Sequence, residues 1–314
     1  MNYISSMRKL PNCESGVAVV SAMLLAALVV SIASTIVFNQ QRFINRLDNH
    51  FSATQARWIA DGSIQWSRAI LAEDAKSGPV DHLKENWAIR LPSTPVEGGS
   101  IRGFITDEQQ FCNLNNVIQA ATTNREGSEF FKRLFVSLNI NLNALDALID
   151  WVDADSNVTY PYGSEDAHYL TQPIAYRTAN LPLTEIGNLS RVQGFSEENI
   201  TRLKKYCVVL PEQTTVNINT VSLELLGLML PELSEYDLQT IIAARNLFPI
   251  QNIAQINQQL LQKKIILNES EFSVGSRYFL VTSQAQFEKS TIKVESLLKR
   301  DEDGWPQLIW KRYR

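Results

Sequence analysis

The densest set of side chains able to hold a metal is acidic. Asp150, Asp153 and Asp155 fall within six residues, followed by Asn157, Glu165 and Asp166. Carboxylates this close repel one another unless a cation or basic groups compensate them, and hard oxygen donors suit Ca²⁺ better than zinc or copper. The spacing is not that of an EF-hand. Asp153, Asp155 and Asn157 match its first three ligand positions, but Val158 stands where the loop needs glycine, and Glu165 falls one place late. A solvated acidic helix end, with Asp153 or Asp155 capping, is the competing reading of the same residues. Clustered aspartates also serve two-metal phosphatases and nucleases. The chain carries no Gly-rich phosphate loop, no GxSxG elbow and no HExxH pair, so catalysis is not expected.

Other reactive groups are sparse. The three cysteines, Cys13, Cys112 and Cys207, are too far apart for CxxC chemistry, and three histidines (His50, His82, His168) supply little for zinc. A formal net charge of −4 over 314 residues gives no global basic field to draw in nucleic acid. With 45% apolar and 20% charged residues, the composition is that of an ordinary globular chain.

The elements that must position the acids begin with a long helix. Val17 to Phe38 is a run of 22 residues without a charge, enough to cross a hydrocarbon core of roughly 30 Å. Arg8 and Lys9 precede it and keep that side cytoplasmic, which places the chain after about Asn39 on the far side. The helical pattern continues past the membrane: Phe43, Leu47, Phe51, Trp58, Gly62, Trp66 and Ile70 form an apolar stripe, with Arg42, Arg46, Arg57 and Arg68 off it. One helix to about Leu71 is therefore expected, on the order of 80 Å long. Gly78-Pro79, Leu91-Pro92 and the run Thr94 to Ser100 read as turn or loop, and Ser100 to Thr106 as a short strand. Arg277 to Phe287, Ser290 to Arg300 and Trp305 to Arg314 alternate in polarity and predict an antiparallel meander.

Between them the pattern is helical. The expectation is an α+β fold, a long N-terminal helix packed on an antiparallel sheet, with a large inserted all-α domain. The expected divisions are 1–16, a leader; 17–38, the membrane segment; 39–112, helix and first strand; 113–212, the inserted α domain; and 213–314, a helix-hairpin-helix-like segment followed by the last strands. Val216 to Met229 with Asp237 to Asn246 resembles a helix-hairpin-helix repeat, and Val192 to Leu203 a second copy. DNA-binding versions use hairpin glycines and basic neighbours to approach phosphate. Here the hairpin after Met229 reads LPELSEYD, without glycine and with three acids, so protein packing is the expected use and nucleic acid is not an expected partner.

The short basic leader ending in Gly16, directly before the apolar run, resembles the class III signal of type IV pilins and type II secretion pseudopilins. That likeness implies cleavage by a prepilin peptidase after Gly16, with Val17 the N-methylated mature terminus. Major subunits of these families carry glutamate at the fifth mature position, where this chain has Ser21. A carboxylate in lipid needs a partner, thought in those families to be the terminal amine of the subunit above, so its absence implies a subunit with nothing above it. FCNLNN (Phe111 to Asn116), LIDWVDAD (Leu148 to Asp155), GSEDAHYL (Gly163 to Leu170), PIAYRTANLPL (Pro173 to Leu183) and VNINT (Val216 to Thr220) together resemble the general secretion pathway protein K family. The resemblance implies calcium ligands among Asp153, Asp155, Glu165 and Asp166, with Asp150 a weaker candidate. It implies a single-pass protein of the bacterial inner membrane with a periplasmic head, capping the pseudopilus tip. Its partners would be minor pseudopilins of the I and J types, the major pseudopilin and the prepilin peptidase. The rival is a minor pilin of a DNA-uptake system. In an oxidising compartment Cys112 and Cys207 are expected to pair, closing a loop of about 95 residues; two buried free thiols are the alternative.

Overall fold

The computed structural model describes residues 14–118, 125–263, 265–288, 290–301 and 305–314. Arg8, Lys9 and Cys13 of the expected leader lie outside the described residues. The first element, α1 (Glu14–Asp74), is one helix of 61 residues, about 90 Å long. Its N-terminal part is fully exposed and apolar, and it is the one described helix long and apolar enough to cross a membrane.

Five strands form an antiparallel sheet in the order β1-β2-β7-β8-β9. Two of these precede the insertion, β1 (Leu91–Val96) and β2 (Gly99–Asp107). The other three follow it: β7 (Tyr278–Phe287), β8 (Ser290–Lys299) and β9 (Gln307–Tyr313). The four strands expected from alternation are all present. The loop expected over residues 91–96 is instead a fifth strand, with Thr94 opposite Ile101 and Val96 opposite Gly99. Pro92 and Pro95 hid it, because proline cannot donate to a ladder; at the outer edge of a sheet that deficit costs nothing. Gly98, at φ +77°, closes the β1–β2 hairpin against the Phe287 ring, where a Cβ would stand 2.2 Å from Cε2.

The face of α1 that meets the sheet is not the expected stripe. Ala56, Ala60, Ile64 and Leu71 are buried with Ser52, Ser63 and Ser67, and Ala60, Ile64 and Leu71 pack with Trp87, Ile105, Phe279, Val281, Ala285, Val294 and Leu298. Small residues let the strands come close to the helix backbone. The buried hydroxyls of Ser63 and Ser67 are satisfied inside the helix, donating to the carbonyls of Ala60 and Ser63. Phe43, Phe51 and Trp58 of the expected stripe are exposed, Trp58 at 74%, while Trp66 and Ile70 at its end border the sheet.

Contacts along α1 set the direction of the head. Ser52 meets Glu288 in the β7–β8 turn, Asp61 meets Lys311 and Tyr313, Arg68 donates to the carbonyl of Pro306, and Asp74 pairs with Arg300 just after β8. The order runs outward from the apolar N-terminal part of α1, so the ends of β2 and β8 and the start of β7 lie at the far end of the helix. Asp107 and Phe279 are opposite one another in the sheet, so the intervening chain leaves and returns at that same far end.

The insertion is helical, comprising α2 (Arg125–Ser137), α3 (Asn143–Val152), α4 (Asp166–Tyr169), α5 (Glu197–Leu203), α6 (Leu223–Met229), α7 (Glu235–Leu247) and α8 (Ile253–Leu260). One core unites Leu134, Leu145 and Leu148 with Ile218, Leu226, Ile256 and Phe272. The segment from 213, expected to go with the last strands, shares this core up to Phe272, so the helical unit reaches the start of β7. At its base two short strands, β3 (Cys112–Asn113) and β4 (Cys207–Val208), run parallel, as do β5 (Val216–Asn217) and β6 (Phe272–Ser273), and Cys112 is joined to Cys207 as a disulfide with Cα atoms 4.5 Å apart. Closing a loop of this length is worth ~4 to 5 kcal/mol in the chain-entropy model.

Two asparagine motifs stitch the neck. Asn115 donates to the carbonyls of Leu183 and Leu210 and accepts from Leu183 N–H, while Asn217 donates to Asp81 O, Asp107 Oδ2 and Ser276 Oγ. Asp107 is fully buried, and its Oδ2 also accepts from Thr220 and Ser276. Beside it, Arg300 links Asp74 and Asp81. Burial raises Asp81 to about 7 against the opposing pull of Arg300. These bonds fix the insertion to the sheet through buried, satisfied polar groups.

Candidate metal centre

The acidic cluster forms where α3 ends. Asp153 is the C-terminal cap of that helix, its N–H donating to Ile149 O. Asp155 follows in the loop, with Oδ1 accepting from Asn157 N–H at 2.7 Å. Ten residues on, Glu165 precedes α4 and is 6% exposed. Carboxylate oxygens of Asp153, Asp155 and Glu165 lie within 4.8 Å of one another.

The other two candidate ligands do different work. Asp150 is completely buried, and its carboxylate accepts the N–H of Thr159 at 2.9 Å, holding the loop that leads to Glu165. Gly163 lies so close that a Cβ there would stand 2.2 Å from Asp150 Oδ2. Asp166 accepts from the N–H and hydroxyl of Thr178, at 3.0 and 2.9 Å, and lies 3.7 Å from Arg177. The structure thus gathers three of the five expected ligands and places Asp150 and Asp166 as frame.

The electrostatics are those of an uncompensated site. Burial, then the charges of Asp155 and Asp150, push Asp153 up to about 6, and burial likewise raises Glu165. Asp153 Oδ1 and Glu165 Oε1 are buried with no hydrogen-bond partner, as is Oδ1 of Asn180. The same chain provides a contrast. Asp74, Asp81 and Glu85 also bring carboxylate oxygens within 4.8 Å of one another, but there Arg300 supplies the cation and Glu85 accepts from His82 N–H and the Trp87 indole. The two unpartnered buried oxygens and the all-oxygen donor set fit a hard cation at Asp153, Asp155 and Glu165.

Asn180 was not visible as a site residue in the sequence. It lies 25 residues beyond Asp155, and no spacing rule joins them; only its place within PIAYRTANLPL drew notice. Thr178 and Gly163 were equally silent.

The helix-hairpin-helix-like units are packed against protein. Gly194, at φ +89°, sits on α3, where its Cβ would stand 2.8 Å from that of Ala144. The start of α7 is closed by its own capping box, in which Asp237 accepts from Ser234 and pairs with Lys263.

A helix apolar enough to cross a membrane, continued into a half that lies on an antiparallel sheet and enlarged by a helical insertion, defines a pilin-like subunit whose N-terminal part is compatible with a single-pass membrane anchor. The chain belongs to the type II secretion system protein K family, the minor pseudopilins of that system. Family models described as type II secretion system (T2SS), protein K match residues 111–212 and 216–275. The type II secretion system protein K of Pseudomonas aeruginosa is 31% identical over 304 residues, covering 93% of this chain and 90% of the relative. That of Pectobacterium carotovorum is 32% identical over 221 residues, 67% of each chain. In fold the chain is similar to a chain of the crystal structure of the GspK-GspI-GspJ complex from enterotoxigenic Escherichia coli, with TM-score 0.73, 22% identity, and coverage of 86% of this chain and 99% of that one.

Proposed function

We propose that this minor pseudopilin caps the pseudopilus tip and starts its assembly together with the I- and J-type minor pseudopilins during export of folded proteins. The observation that carries the reading is the place of the insertion: the disulfide-closed helical unit hangs on the membrane-distal end of α1. That bulk stands where the next subunit of a tightly wound filament would stack. Ser21 agrees with it, because its hydroxyl donates to Val17 O at 2.9 Å and asks nothing of a neighbour within the membrane. The outward apolar face of α1, from Phe43 to Trp66, continues the membrane segment and offers partner helices a surface below the head. The complex named for the similar Escherichia coli chain supports partners of the I and J types.

The same reading includes cleavage after Gly16 by a prepilin peptidase, a methylated Val17, contact with the major pseudopilin, and a periplasmic head on a single-pass anchor in the inner membrane. It also includes calcium held by Asp153, Asp155 and Glu165. Calcium would supply positive charge that joins the end of α3 to the start of α4, a structural rather than catalytic role. The test is co-purification of the full chain, in detergent, with I- and J-type minor pseudopilins, with and without chelator. A stable three-part complex that loosens when Trp58 is changed to glutamate is expected. Absence of a complex under either condition contradicts the assignment.

A further inference from the structure

Asn180 belongs to neither helix of the cluster, yet the structure fastens it there from two sides. Its N–H donates to Trp151 O, in the last turn of α3, at 3.1 Å, and its Nδ2 donates to Asp155 O at 3.0 Å. The second bond fixes the amide: turned over, it would set oxygen against oxygen. Oδ1 is therefore the free atom, and it is buried without a partner. The backbone at Asn180 takes φ 46°, the left-handed region that asparagine tolerates better than other residues bearing a Cβ. Two residues earlier, Thr178 is bonded to both Glu165 and Asp166. Residues 178–180 thus lie along the cluster, touching each of its acidic segments.

Glu165, 6% exposed, has one oxygen satisfied by Thr178 and the other, Oε1, by nothing. Three orphaned oxygens, from three separate segments of chain, are one coherent set if they share a cation; left empty, each carries a desolvation penalty of its own. An amide oxygen is a proper donor to calcium, which accepts carboxylate and carbonyl oxygens together.

We propose that Asn180 Oδ1 is a ligand of the cation at Asp153, Asp155 and Glu165, and that the cation thereby clamps the 173–182 segment to the end of α3. The inference rests on the calcium reading given above. In it Asp150 and Asp166 are positioning residues: the first holds Thr159, the second holds Thr178, and neither spends its charge on the ion.

The test uses the full chain in detergent, stripped of metal, with calcium alone as the probe. Calorimetric titration gives affinity, and limited proteolysis reads cleavage within 173–182 with and without calcium. Asn180→Ala is expected to weaken binding about tenfold or more and to abolish the calcium-dependent protection of the segment. Asn180→Asp keeps an oxygen for the ion but sets its second oxygen against Asp155 O, and it is expected to bind calcium less tightly than the native chain yet clearly more tightly than Asn180→Ala. Melting in chelator shows that both variants fold. Native affinity and native protection in Asn180→Ala would overturn the inference and leave the cation site standing, as would equal loss in both variants, which would mark Asn180 as a structural donor. Failure of the native chain itself to bind calcium any better than Asp153→Ala would overturn the underlying reading.

Discussion

Asp150 and Asp153 lie one helical turn apart and have opposite duties. The first is completely buried and spends its carboxylate on Thr159 N–H; the second caps α3 through its backbone N–H, which donates to Ile149 O, and leaves its side-chain Oδ1 without a partner. The sequence reading ranked Asp150 below the other four acids but did not separate Asp166 from the ligands, because spacing reports which side chains are near and not which backbone N–H groups reach them first. Gly163 is the residue on which that division depends. A methyl group there would meet Asp150 Oδ2 at 2.2 Å and the backbone of Thr159 at 2.6 Å. Gly163→Ala is expected to destabilise the head by about 1 to 3 kcal/mol, since the neighbours are backbone and a buried carboxylate that cannot yield. Thermal melts in chelator measure it, and a change under 0.5 kcal/mol would mean that the loop has another way to close.

At the scale of elements, α1 separates two kinds of apolar residue. Large side chains at Phe43, Phe51 and Trp58 are exposed, Trp66 lies at the edge of the sheet, and small side chains at Ala56 and Ala60 are buried. Periodicity found the helix, its length and a stripe of large apolar residues but not the small-residue face that meets the sheet, because hydrophobicity weights tryptophan above alanine, whereas close packing of a helix on strands favours alanine. The β1 strand was hidden for a related reason: its prolines forbid a central position and permit an edge. The last three strands were legible because each alternates over its whole length. Ala60→Leu, in the seam between α1 and the sheet, is expected to cost about 1 to 3 kcal/mol by overpacking. Trp58→Ala, on the outer face, should stay within about 0.5 kcal/mol of the native chain. Denaturant melts of both variants check the assignment of faces, and the reverse order of effects would refute it.

For the whole molecule, the order of contacts from Ser52 through Asp61 and Arg68 to Asp74 lays the sheet along the helix and leaves the insertion at the far end. The buried neck around Asp107, Asn217 and Arg300 ties that unit to the sheet. The α+β layout with an inserted helical unit was readable from the order of the patterns. The extent of the insertion to Phe272 was not, since a core shared across residue 212 is a property of packing and leaves no local signal in the chain. On the proposed tip assignment, a large unit fixed to the outer end of a helix apolar enough to cross a membrane has room above it only at the end of a filament. The most direct measurement is therefore electron microscopy of pseudopili carrying a gold label on a cysteine introduced at exposed Tyr236 of the insertion, with Cys112 and Cys207 left paired. The account predicts one label per filament, at the end away from the membrane; labels repeated along the shaft would contradict it.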